Sequence, residues 1–174
     1  MTSRFGPVEA LDTKHEVAGF DCGSDAQTTW LRRHALQSQA GGMSRVFVVR
    51  RLSDDNVVGY YALTTGSVLH ADASARLTAG TGGYDIPVII LTRLGVDLGE
   101  QGRGLGRALV VDAFRRVDRI AEEVGVRALL IHAEDADARA FYRGLAAFEA
   151  SPVDDLQLIL LLEDLRKAIR GSGS

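Results

Sequence analysis

The chain has 174 residues, 46% apolar and 25% charged, which is enough to bury roughly 70% of the unfolded surface and predicts a single domain over 1–170. Three prolines, one cysteine (Cys22) and four scattered histidines exclude collagen-like, disulfide-stapled and zinc-built folds. A net charge of −3 argues against a surface coated in positive charge for nucleic acid, although eighteen of the twenty basic residues are arginines, whose planar fork suits phosphate.

Taken in chain order, Trp30, Leu31, Ala35 and Leu36 fall on one stripe of an amphipathic helix over 25–39, capped by Ser24 or Asp25 and stopped by Gly41 and Gly42. Two strand-like runs, 45–51 and 57–65, flank a Ser-Asp-Asp-Asn connection and predict an antiparallel hairpin. Residues 67–84 are rich in Ala, Gly, Ser and Thr and read as a long connection with one helical turn near 74–77. The β-branched run 86–96 is a buried strand in which Gly95 suggests a bulge. A long helix is expected over 105–123, its apolar stripe built from Leu109, Val110, Ala113, Val117, Ile120 and Ala121. A buried strand (127–133), a helix (136–145), a last strand (157–162) and a short polar helix (163–170) follow. Residues 171–174 read as a flexible tail or expression scar. The plan is a mixed α/β sheet with a βαβ unit at its middle. No apolar run approaches the roughly 20 residues of a membrane span, and residues 1–7 carry no apolar leader; a cytoplasmic protein without a membrane partner is expected.

Ligands of such sheets bind beyond the carboxyl ends of the strands. Gln101-Gly102-Arg103-Gly104-Leu105-Gly106-Arg107 stands there, between a strand and the long helix. Alternating glycines let the backbone approach a ligand and turn its amides toward one point, where the helix dipole adds partial positive charge: an anion cradle. A Walker loop would place Lys and Ser or Thr after the last glycine, but Arg107 and Ala108 stand there. A dinucleotide fingerprint would be G-x-G-x-x-G with an acidic residue ending the next strand, whereas this loop is G-x-G-x-G and that strand ends at Ala133. A ligand-free glycine turn is the remaining alternative.

Gln101-x-x-Gly104-x-Gly106, preceded by Arg93-Leu94-Gly95-Val96-Asp97 and followed by Ala138-x-x-Phe141-Tyr142, resembles the GNAT superfamily of acetyl-CoA-dependent N-acetyltransferases. The resemblance implies that amides from Gly102 through Arg103, Gly104, Leu105 and Gly106 to Arg107 hold the pyrophosphate of coenzyme A, and that Leu94, Gly95 and Val96 offer backbone groups to its pantetheine arm. Phe20-x-Cys22-Gly23, the Trp30-Leu31 helix, Ser44-Arg45-x-Phe47-Val48, Val58 to Leu63, Pro87-Val88-x-Ile90-Leu91 and Ile131-His132-Ala133 extend it over nearly the whole chain. They are similar to the GNAT toxins of bacterial type II toxin–antitoxin modules. That narrower resemblance implies acetylation of the α-amine of aminoacyl-tRNA, a ribbon-helix-helix antitoxin and a homodimer. Where the family commonly continues Phe-Tyr with glycine and phenylalanine, this chain has Gly144-Leu145-Ala146-Ala147-Phe148, so a different local turn is expected.

By the same resemblance Tyr142 donates the proton that lets coenzyme A leave; the alternative is a packed aromatic. An α-amine with a pKa near 7.7–8.0 hardly needs a strong base, and no Glu or His base is evident in the strands before the cradle. Arg93 and Arg45 are the candidate tRNA contacts. His132, ahead of Glu134, Asp135 and Asp137, reads as a hydrogen-bonded structural residue rather than a base or metal ligand, and Cys22 as a small buried one. Other readings are acetylation of a small-molecule amine or a protein N-terminus, and a non-catalytic coenzyme A-binding module.

Overall fold

The computed structural model describes residues 3–172. Its strands are β1 (Glu9–Ala10), β2 (Arg45–Arg50), β3 (Val57–Val68), β4 (Ile86–Val96), β5 (Ala128–His132), β6 (Glu149–Ser151) and β7 (Asp154–Leu161). The helices are α1 (Asp25–Thr29), α2 (Ala35–Ala40), α3 (Ala75–Thr78), α4 (Leu105–Glu123), α5 (Ala136–Arg143) and α6 (Leu162–Ser172). The strands form a seven-stranded mixed sheet in the order β1-β2-β3-β4-β5-β7-β6, as the mixed α/β reading expects. The chain divides into two compact units, one ending its two stretches at Thr64 and Asp112, the other comprising 65–91 and the residues from Ala113 onward.

In the first unit β2 and β3 pair antiparallel, Arg45 opposite Leu63 and Val48 opposite Tyr60, with a shift in register after Val49. Their alternate residues meet Leu11, Phe20, Leu31 and Ala35 in one apolar cluster. Ser24 caps α1 by accepting from the Gln27 amide. The single helix expected over 25–39 is interrupted by a π-helical segment, Trp30–His34, in which the Ala35 amide reaches back to the Trp30 carbonyl. Glycine at 95 has a packing cause: its φ is not positive, and a Cβ there would stand 3.1–3.3 Å from Tyr60, Cys22 and Phe20.

In the second unit β4 and β5 run parallel, Val88 opposite Ala128, and β7 pairs antiparallel with β5, Ala128 opposite Leu161. Leu77, Ile86, Leu130 and Ile159 are buried together. The expected helical turn in the long connection is α3, capped by Ser74. Arg127 donates to the carbonyls of Arg76, Leu77 and Ala79 at its end. Arg76 pairs with Glu163 and Asp164 at the start of α6, so two arginines order a stretch of weak intrinsic propensity. Helix α6 continues through Ser172, whose hydroxyl donates to the Ile169 carbonyl. The described part of the expected tail, Gly171 and Ser172, is therefore helical because an end carbonyl finds a partner, and residues 173–174 lie outside the described residues. No helix among the described residues is long and apolar enough to cross a membrane.

Candidate active site

Strand β4 delivers the chain to the cradle. Asp97 closes a short 3-10 turn (Leu98–Glu100) by accepting from the Gly99 amide, and it also accepts from the Asp21 amide. The Gln101 side chain donates to the carbonyls of Cys22 (3.0 Å) and Val96 (2.9 Å). Gln101, expected as a cofactor residue, thus spends its amide tying the loop to the end of β4, and the Val96 carbonyl is engaged by it.

Gly102 and Gly104 adopt φ of +78° and +83°, backbone that side-chain-bearing residues rarely take. A Cβ built at either meets no atom within 4 Å, so backbone conformation rather than crowding demands glycine, and the loop's backbone stays open. The helical ladder of α4 begins with Ala108 donating to the Gly104 carbonyl. The amides of Leu105, Gly106 and Arg107 therefore have no intrahelical acceptor and carry the positive end of a 19-residue helix dipole. Leu105 and Leu109 root the helix start: a Cβ on Gly59 would lie 3.0 Å from Leu109 and 3.3 Å from Leu105. Open backbone, orphan amides and a buried anchor fit the pyrophosphate of coenzyme A. Replacing Gly104 by valine should strain the loop and obstruct that contact. Calorimetry should then show weaker coenzyme A binding by a folded Gly104→Val protein; unchanged affinity would remove the loop from the cofactor site.

Sequence reading missed what holds this loop. Glu100 is fully buried, yet its carboxylate accepts from Arg4 through two nitrogens at 2.8 Å and from Arg51 at 2.9 Å, with Arg103 of the loop at 3.3 Å. Hydrogen bonds from Arg4, against the cost of burial, hold its pKa down to about 2. Only the run of an acid beside a glycine loop with arginines elsewhere hinted at this.

Arg93 is half-buried, its guanidinium 5.4 Å from the centre of the Trp30 ring. Trp30 in turn stacks near-parallel on Tyr60 with centroids 6.1 Å apart. Leu94 and Val96 beside it are partly exposed, and Arg45 is exposed at the start of β2. Cys22 is only partly buried and lies beside the Thr28 hydroxyl and the Ser24 carbonyl. The expectation of a buried residue there is corrected, because its loop runs along the unit's surface.

In the second unit, Tyr142 is buried on α5, flanked by Phe141 and Phe148 with ring centroids 5.3 and 6.2 Å away. Burial first, then the charge of Glu134, pushes its phenol well above the usual value, so it stays protonated at neutral pH. No group among the described residues hydrogen-bonds its hydroxyl. The turn after α5 closes with the Leu145 amide donating to the Tyr142 carbonyl and the Phe148 amide to Ala146; Phe148 then buries against Phe114. Asp135 caps α5 by accepting from the Ala138 amide. His132 is exposed at the end of β5, contrary to the hydrogen-bonded structural residue expected, because its alternate neighbours Ile131 and Ala133 take the buried positions. Among the described residues no group of three His, Cys, Asp or Glu side chains could hold a metal ion.

A mixed sheet with an open glycine loop at the start of a long helix suits an acyl-CoA-dependent transferase. Residues 11–147 match the acetyltransferase (GNAT) family, and the chain belongs to that family: it is an acetyl-CoA-dependent N-acetyltransferase. It is similar to a tRNA-acetylating toxin of Mycobacterium tuberculosis (strain ATCC 25618 / H37Rv), with 46% identity over 167 residues, 96% of this chain and 98% of the relative. Among solved structures, AtaT complexed with acetyl-methionyl-tRNAfMet superposes with a TM-score of 0.83 at 25% identity, over 97% of this chain and 99% of that one. AtaTR bound with AcCoA superposes at 0.81, 25% identical, over 94% and 97%.

Proposed function

We propose that the protein is a toxin that transfers acetyl from acetyl-CoA to the α-amine of aminoacyl-tRNA and so blocks translation. The observation that carries this is the 46% identity, end to end, with a tRNA-acetylating toxin; the solved neighbour holding acetyl-methionyl-tRNAfMet supports it. A bound acetyl-CoA supplies an activated acyl carbon and a sulfur leaving group. The backbone from Gly102 to Arg107 holds its pyrophosphate, and backbone groups of Leu94 and Gly95 align the arm. The substrate α-amine, with a pKa near 7.7–8.0 before induction by the ester lowers it, is largely neutral at physiological pH. It therefore attacks without a strong base. Tyr142, kept protonated by its burial, donates to the departing sulfur as the C–S bond breaks, and the proton that the amine gives up returns through water to the phenol, so that the step yields the amide, the free thiol of coenzyme A and an unchanged tyrosine.

Arg93, braced on Trp30, and exposed Arg45 contact tRNA phosphates. The partners in this reading are a ribbon-helix-helix antitoxin that neutralises the enzyme and a second copy of the chain in a homodimer, and the setting is the cytoplasm. Incubating the protein with labelled acetyl-CoA and a set of charged tRNAs should label the amino acid of one or a few of them. Label confined to free amines or protein N-termini would overturn the reading. Repeated across a salt series, tRNA binding should weaken steeply, and Arg93→Ala should reduce the slope by about one.

A further inference from the structure

We propose that Arg103, with Arg4 and Arg51 gathered beside it on Glu100, forms the site for the 3′-phosphate on the ribose of coenzyme A. The proposal rests on the cradle's holding that molecule's pyrophosphate. Arg103 stands inside the loop, between the two glycines of positive φ. Its Nε faces Glu100 at 3.3 Å, and half of its side chain remains in contact with solvent. Among the described residues its terminal nitrogens make no hydrogen bond, so they are free to reach outward.

Three guanidiniums meet at this point, and the only carboxylates paired with them are Glu100 and Asp54. One positive charge is left over, next to a loop that already collects anions. Backbone amides suffice for the singly charged phosphates of a pyrophosphate diester. A terminal phosphate carries close to two charges at neutral pH and is better matched by the planar fork of arginine. Glu100 acts here as a positioning residue: fully buried, it draws mutually repelling arginines to one place without itself reaching the ligand.

The same guanidiniums could meet a phosphodiester of tRNA, and the experiment separates the two sources. Calorimetry of the full chain with coenzyme A and with 3′-dephospho-coenzyme A should show the wild type preferring the former by about tenfold, the low end for charge-assisted hydrogen bonds because the site is half-exposed. In Arg103→Gln that preference should shrink to two- or threefold, with 3′-dephospho-coenzyme A bound as tightly as by wild type. Equal affinity of the wild type for both ligands would overturn the proposal, as would an Arg103→Gln protein that loses both ligands alike. Preserved discrimination with weakened charged-tRNA binding would assign the arginine to nucleic acid instead. If the wild type bound neither ligand, the reading of the cradle itself would fall. Arg4→Gln, half-exposed and outside the loop, should show a smaller loss in the same direction.

Discussion

Tyr142→Phe should fold normally, bind acetyl-CoA within a few-fold of wild type and turn over on the order of 10²–10⁴ more slowly, the usual contribution of positioned acid catalysis. Phenylalanine keeps the ring between Phe141 and Phe148 and removes only the hydroxyl, which no protein group holds among the described residues. The loss should appear in kcat rather than in cofactor affinity. Because burial raises the phenol's pKa, ionisation of Tyr142 should contribute no falling limb to the wild-type rate profile near neutral pH. Steady-state kinetics with charged tRNA decide the matter. A variant within a few-fold of wild type would mean that the thiolate takes its proton from water. A packing role would show the reverse pattern, a lower melting temperature with chemistry intact.

The second large effect concerns stability. Glu100→Gln keeps the volume of the side chain but removes the charge on which Arg4, Arg51 and Arg103 converge. Breaking a buried ion pair typically costs 3–5 kcal/mol. About 2–3 kcal/mol is expected here, since Arg4 and Arg103 stay half in water, which corresponds to roughly 5–10 °C in melting temperature. The folded carboxyl has a pKa of about 2 against 4.5 ordinarily. Its contribution is therefore complete above about pH 4.5 and lost as pH falls toward 2, where the unfolded chain takes up the proton first. Denaturant titrations should show the two proteins converging over that interval. A pH-independent difference would point to packing rather than charge.

The order of the longer elements, the hairpin of β2 and β3, the parallel β4–α4–β5 unit and the position of the glycine loop were legible in the sequence, whereas the short edge strands β1 and β6 were not, being held by pairing with β2 and β7. Each legible feature is written locally, in periods of two and 3.6 residues and in glycines that punctuate them. The glycine loop was the most legible part of the candidate site because Gly102 and Gly104 satisfy a backbone demand that no neighbour can supply. Tyr142 is different: its candidacy came from resemblance, since a tyrosine in an amphipathic helix has no local mark of chemistry. What only the tertiary structure decided is long-range pairing. Arg4 lies 96 residues from Glu100, and Arg76 lies 88 from Asp164. No periodicity announces such partners, because they are selected by which surfaces come together once the sheet has formed. The π-helical turn at Trp30 leaves no mark in the period of the apolar residues, while the exposure of His132 follows from strand alternation once Ile131 and Ala133 are buried. Local pattern says which residues seek burial, and the packed fold alone determines which of them find it and which charges must then be gathered beside the site.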